Sequence, residues 1–385
     1  MHSREFLNMS VGQTELHPVI REELAKPLPT PTYFQEYRDI QERTLKALQQ
    51  IMGTSRDVFV LLGLARTGLE TGAYHLINEG DVVISIDTGH WGKYYGEIAK
   101  GLGADVEYLS APLGESAPME SFASALKSRH VHAITLTHCE TNTGVVNPVA
   151  EIAAVRDELS PDTLILVDGV SMFGGAEVKF DEWGIDFYCG GSQKCLNAPQ
   201  GTPIVCFSER GLERSRRKSS SLKTFALECK PSFLLMRGLD AISATLLDEG
   251  LHNVYHRHAI AAEAIRAGVR ALGLGVFANS DSIASPSCTR ISFPPRLSGL
   301  IEDDRTKGRI DSDRLTQTMK EKCGVVIGED RIGTLGHFAR QTYVLGALGA
   351  LEEAMNLLEW RKSDGAGVSA AQQVYAGCPS NLASV

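Results

Sequence analysis

Apolar residues along this chain follow two spacings. Short unbroken runs at residues 58–62, 82–86, 132–138 and 164–168 predict buried strands. Elsewhere apolar residues recur every three or four positions, which predicts helices. Tyr37, Ile40, Leu45, Leu48 and Ile51 share one face over residues 34–52, and Gly53 follows as a helix stop. Further helices are predicted at 151–159, 234–247 and 252–272, with a short strand at 106–108. Strand, helix and strand in alternation predict an α/β fold, a mainly parallel sheet flanked by helices. In such sheets sites form beyond the carboxyl ends of the strands.

The C-terminal part is patterned differently. Strands at 290–293 and 324–328 and a helix at 313–322 predict a smaller α+β domain. The expected division is an N-terminal arm (1–20), a large domain (21–255), a small domain (256–360) and a flexible Gly/Ala/Ser-rich tail (361–385). Residues 212–232 are basic and serine-rich without a period, and are predicted to form a loop.

Composition narrows the choice further. At 385 residues and 43% hydrophobic content, the chain can bury a large core. A net charge of −9 argues against nonspecific nucleic-acid binding, so the basic run at 214–218 reads as a solvated face. The eight cysteines form no CxxC pair, so neither a metal site nor a disulfide scaffold is expected. There is no apolar signal segment and no run of membrane-spanning length; with thiols expected to be reduced, a cytoplasmic protein without a membrane partner is predicted.

Two stretches carry chemistry. In residues 186–201, Gly190 and Gly191 read as a tight turn after an apolar lead-in, and Lys194 follows on a short turn closed by Pro199 and Gly201. A lysine held there is poorly hydrated, and desolvation favours its neutral amine. That amine can attack an aldehyde and form a Schiff base. The plain alternative is a solvated surface lysine. Upstream, the run at 164–168 ends on Asp168, which suits pairing with a protonated pyridine nitrogen or, alternatively, capping a turn. Pyridoxal enzymes need both groups.

The order Val-Asp168-Gly-Val-Ser followed by Gly-Ser192-Gln193-Lys194-x-Leu-x-x-Pro-x-Gly resembles the class V, fold-type I, pyridoxal phosphate-dependent aminotransferases. The alanine–glyoxylate and serine–pyruvate type is the nearest broad match, from about residue 9 to about residue 360. The resemblance implies a homodimer with pyridoxal 5′-phosphate as cofactor. It implies Lys194 as the Schiff-base lysine and Asp168 as the partner of the ring nitrogen. Trp91 would stack on the ring, Thr141 would offer its hydroxyl, and Ser192 and Gln193 would line the cofactor. Arg331 matches the arginine that grips the substrate carboxylate, with Arg340 a second candidate. Gly12 matches a segment that lies over the active site. The family seats the cofactor phosphate in the glycine turn after residues 58–62. Arg66 and Thr67 are the candidate ligands there, and Lys230 a candidate charge where a hydroxyl is lost. This chain departs from the family pattern in that turn: Leu62 and Leu64 replace hydroxyl residues and Ala65 replaces a glycine.

The implied activity is amino transfer between a small L-amino acid, of the alanine or serine type, and glyoxylate or pyruvate. Gly92-Lys93 and Arg331-Ile-Gly-x-x-Gly-His337-x-Ala-Arg340 also resemble the pyridoxamine–pyruvate branch, which takes free pyridoxamine or pyridoxal as a substrate. That branch has an acid in the cradle where Leu64 stands here, so the phosphorylation of the vitamer stays open. A lyase or carbon–carbon bond-forming enzyme on the same scaffold, and a cofactor-binding scaffold without turnover, are the competing readings.

Overall fold

Residues 6–27, 35–218, 231–293 and 312–378 are described by the computed structural model. The chain opens with β1 (Leu7–Met9), α1 (Pro18–Ala25) and α2 (Gln35–Met52). Next come β2 (Val58–Val60), α3 (Ala65–Leu76), β3 (Val82–Asp87), α4 (His90–Gly101), β4 (Asp105–Ser110) and α5 (Met119–Ser128). Then follow β5 (Ala133–Thr137), the small hairpin β6 (Cys139–Glu140) and β7 (Val145–Val146), α6 (Val149–Leu159), β8 (Leu164–Asp168), β9 (Phe187–Gly191) and β10 (Pro203–Phe207).

Seven of these strands form one sheet, in the order β2-β10-β9-β8-β5-β3-β4. Strands β4, β3, β5, β8 and β9 run parallel, and β10 runs against both of its neighbours. The parallel centre is buried on both faces, which is why it reads as unbroken apolar runs. Strand β8 shows the division: Ile165 and Val167 join the core under α2, α6 and α8 (Phe233–Glu249), while Leu164 and Leu166 join the core under α3 and α4.

Gly190 and Gly191 do not turn the chain. They end β9, where a Cβ on Gly190 would lie 2.5 Å from Phe173 Cγ and one on Gly191 2.7 Å from Val170 Cγ1. Their role is to let the segment after Asp168 pack onto the strand. Gly190→Ala is therefore expected to lower unfolding free energy by about 2 kcal/mol, read from urea denaturation.

The remaining elements are α7 (Glu209–Arg217), α9 (Leu251–Ala271), β11 (Gly275–Val276), β12 (Cys288–Ser292), β13 (Val325–Ile327), β14 (Arg331–Gly333), α10 (Gln341–Leu357) and α11 (Ala366–Ala376). A second core gathers Met9 with Ile265, Ile291, Ile327, Leu348 and Tyr375. Strand β1 pairs in parallel with β13, so the N-terminal segment belongs in part to this second layer.

Two further expectations fail. The loop predicted over 212–232 begins as α7, capped by Ser208, whose hydroxyl accepts from Gly211 N. Its basic residues are tied to the end of α3 and the segment before β3: Arg214 to Asp81, and Lys218 to the carbonyls of Tyr74 and Ile77. Ion pairs, not an apolar stripe, hold it. The tail predicted to be flexible contains α11, whose Ala371 and Tyr375 are buried. Small residues permit that contact: a Cβ on Gly268 would lie 2.9 Å from Gly367 O, and one on Gly367 3.0 Å from Leu272 Cδ1.

Candidate active site

Lys194 lies on the turn between β9 and β10. Asn197 N donates to Lys194 O at 2.9 Å, Ala198 N to Ser192 O at 2.9 Å, and Ser192 Oγ to Pro199 O at 2.7 Å. Asn197 takes the left-handed conformation, φ 46°, which asparagine tolerates better than most residues. Its side chain anchors the turn: Nδ2 donates to Thr14 Oγ1 at 2.8 Å, and Oδ1 accepts from His337 N at 2.5 Å. The Lys194 amine donates to the Val11 carbonyl. Burial holds its pKa below the usual lysine value.

Asp168 ends β8, opposite Cys189 of β9 in the parallel register, so acid and lysine leave adjacent strands at the same edge. Asp168 is buried and accepts from Val170 N at 3.0 Å. Burial, reinforced by the nearby Glu140 carboxylate, pushes its pKa up to about 7, against the pull of the Val170 amide and Lys194. His138 is buried between Trp183 and Tyr188, and burial brings its pKa down to about 4.

Around this pair the sheet edge gathers Trp91, Thr141 and Arg331. Trp91 opens α4, its ring edge-on to His90 and Tyr94. Thr141 is buried in the turn between β6 and β7. Arg331, on β14, reaches across from the second layer. Its Nη1 donates to Asn142 Oδ1 at 3.1 Å and lies 3.5 Å from Thr141 O, while its Nε donates to Gly328 O at 3.2 Å. The guanidinium is thus held in one orientation at the edge of the site. Arg331→Leu is expected to raise the KM for an amino acid about 10- to 100-fold, the loss of a charge-assisted contact, with a smaller change in kcat.

At the other end, α3 begins after Gly63, whose φ of 141° suits only glycine. Leu64 makes no side-chain capping hydrogen bond, and with Thr67 N donating back to Leu64 O at 2.9 Å the amides of Ala65 and Arg66 remain to face an anion. Arg66 is exposed beside them and Thr67 is partly buried. The Leu62 and Leu64 side chains stand in solvent, 44% and 43% exposed.

Other candidates sit elsewhere or act otherwise. Gly12 is exposed, and its neighbour Val11 supplies the carbonyl that meets Lys194. The Ser192 hydroxyl is spent on its own turn, and the Gln193 carbonyl accepts from Thr14 Oγ1 at 3.1 Å. Arg340 lies 3.9 Å from Glu249, which Arg257 already pairs at 2.5 Å where α8 meets α9, so the structure directs Arg340 there rather than toward Lys194. Lys230 lies outside the described residues. Sequence reasoning missed Glu140, Asn142 and Asn197 as organising residues. The Asn-x-Pro-x-Gly spacing after Lys194 was the one available signal for Asn197.

Residues 31–225 match the family model described as aminotransferase class-V. The chain belongs to that family. It is 29% identical to pyridoxamine–pyruvate transaminase of Mesorhizobium japonicum, with 97% of each chain covered. It is 30% identical to serine–glyoxylate aminotransferase of Arabidopsis thaliana, over 85% of this chain and 84% of that one. The crystal structure of pyridoxamine–pyruvate aminotransferase from Mesorhizobium loti superposes with a TM-score of 0.88, covering 97% of this chain and 98% of that one at 29% identity. The protein is therefore an aminotransferase of the α/β fold-type I architecture, as the sequence implied. Among the described residues no helix is long and apolar enough to cross a membrane, and no cluster of metal-ligating side chains occurs.

Proposed function

We propose that this aminotransferase is pyridoxal phosphate-dependent and moves an amino group from a small L-amino acid to glyoxylate or pyruvate. The observation that carries the reading is the pair Lys194 and Asp168, a half-buried amine and a buried acid brought to the same edge by adjacent parallel strands. The residues present fit the cofactor: an amine of lowered pKa, a buried acid, an aromatic ring at Trp91 and an open helix end at α3. When bound, pyridoxal phosphate supplies an electron-withdrawing ring. Lys194 would hold its aldehyde end, Asp168 its ring nitrogen and Trp91 its face, with Thr141 alongside. Arg331 binds and orients the substrate carboxylate. The Lys194 Nζ, deprotonated more readily for being buried, takes the substrate α-proton and returns it as general base and then acid.

The small substrates are supported by the relatives' names, which specify serine, glyoxylate and pyruvate. A homodimer is supported by Leu62 and Leu64, apolar side chains exposed beside the α3 cradle. A cytoplasmic setting is supported by the seven cysteines described, all free. Borohydride reduction of the purified protein followed by peptide mapping tests the reading. The cofactor mass must appear on the peptide carrying Lys194; its absence, or its appearance on another lysine, rejects the proposal.

One observation favours a second reading, in which free pyridoxal or pyridoxamine is the substrate. Leu62 and Leu64 offer a phosphate no hydroxyl donors. Arg66 favours the phosphorylated form. The mass of the small molecule released from the protein separates the two.

A further inference from the structure

We propose that Glu140 is a positioning residue that sets the ring-covering Trp91 and the carboxylate-binding Arg331 at a fixed spacing. The inference rests on the cofactor reading above. Glu140 is wholly buried, and its three hydrogen-bond partners are backbone amides. Its Oε2 accepts from Trp91 N at 2.7 Å and Gly92 N at 3.1 Å, the first turn of α4, where the helix dipole favours an anion. Its Oε1 accepts from Asn142 N at 2.9 Å. Asn142 in turn holds the second layer: its Oδ1 accepts from Arg331 Nη1 at 3.1 Å, and its carbonyl from Arg290 Nη1 at 2.9 Å.

One carboxylate therefore joins the helix that carries Trp91 to the turn that docks two arginines. Gly89 leaves room for it. A Cβ there would lie 2.6 Å from Glu140 Cγ, at a φ of 157°. The titratable groups facing Glu140 are the His90 imidazole and the Asp168 carboxyl. Burying a carboxylate without a cation is costly, and an apolar side chain of similar volume would serve packing alone as well or better. A glutamine keeps a single acceptor oxygen, so either the helix end or the turn loses its anchor.

The test is Glu140→Gln, with Asn142→Ala and Glu140→Asp as companions. Glu140→Gln is expected to raise the cofactor dissociation constant, followed by fluorescence quenching of the apo-protein, and the KM for the amino acid, each about tenfold. Asn142→Ala is expected to raise KM while leaving cofactor affinity unchanged. Glu140→Asp, which keeps the charge, is expected to recover part of both losses. If Glu140→Gln lowers only the melting temperature and leaves both constants at wild-type values, the proposal is overturned. Should that variant not fold, an unchanged KM in Asn142→Ala overturns it equally. Failure of the wild-type protein to take the borohydride label at Lys194 instead defeats the cofactor reading and leaves the dissociation constant undefined, so the two failures are distinguishable.

Discussion

Lys194→Ala is expected to lower the transamination rate by roughly 10²- to 10⁴-fold, the scale of losing a positioned general base, and to remove the borohydride adduct. Both results follow from one atom. The Lys194 Nζ is the amine that the fold brings beside the buried Asp168, and its partner in the structure is the Val11 carbonyl, a neutral acceptor that leaves it free to react. The variant should still bind the cofactor, because Asp168, Trp91 and the α3 helix end are untouched, so a rate loss without a binding loss is the signature. A small primary amine added to the buffer should restore part of the activity by moving the proton in place of the side chain. Stability provides a separate check. A lysine whose folded pKa is depressed carries a cost while protonated, greatest below that pKa and relieved as pH rises through it. Losing that cost offsets the lost hydrogen bond to Val11, so the apo-protein at pH 7 is expected to lose no more than about 1 kcal/mol. A much larger loss in chemical unfolding would show that Lys194 serves the fold rather than the reaction.

The parts of this site that were legible in the sequence are those that short-range pattern controls. Strand β8 appears in the structure over the same residues, Leu164–Asp168, that its apolar run marked, because a strand buried on both faces needs an unbroken run. The family motif falls at two such strands: Asp168 closes β8, and Lys194 lies on the turn after β9. What stayed hidden depends on contacts distant in sequence. Gly190 and Gly191 have the composition of a turn, but their reason is the approach of Val170 and Phe173. Helix α11 has no apolar stripe because alanine and glycine pack closely against α9, and α7 has none because arginine and lysine hold it. Glu140 stands in the sequence only as the acid beside Thr141 after an apolar run; its role shows once the amides of α4, some fifty positions earlier, are seen to converge on it. Of two equivalent-looking arginines, Arg340 faces Glu249 at 3.9 Å, while Arg331 pairs with Glu329 at 3.2 Å and donates to Asn142. No local pattern could have made that choice.

Asp168→Asn is expected to lower kcat roughly 10²- to 10³-fold, the scale of breaking a buried charge pair. The asparagine keeps the volume and can still accept from Val170 N, so packing survives while the negative charge opposite the ring nitrogen is lost. The apo-protein offers a test that needs no turnover. Burial raises the Asp168 pKa from its ordinary value of 3.8 to about 7. A carboxyl whose folded pKa lies above its unfolded one contributes stability that is fully present below pH 4 and is lost as pH rises through 7. Wild-type apo-protein should therefore lose roughly 3–5 kcal/mol of this contribution between those limits, and Asp168→Asn should not. Glu140 is also raised by burial and adds a loss of the same sign in both proteins; because its carboxylate faces Asp168 it is smaller in the variant, so the difference reports the two acids together. Lys194 acts in the opposite sense and is likewise common to both. Urea midpoints across pH 4 to 8 measure that difference. Parallel curves for the two proteins would mean that Asp168 is already ionised throughout, hydrated or paired in the apo state, and that the low-dielectric setting proposed for the ring nitrogen does not exist. Curves that converge at low pH and separate toward pH 7, with the variant the more stable, would establish that the fold holds an uncompensated acid in readiness for a cationic partner.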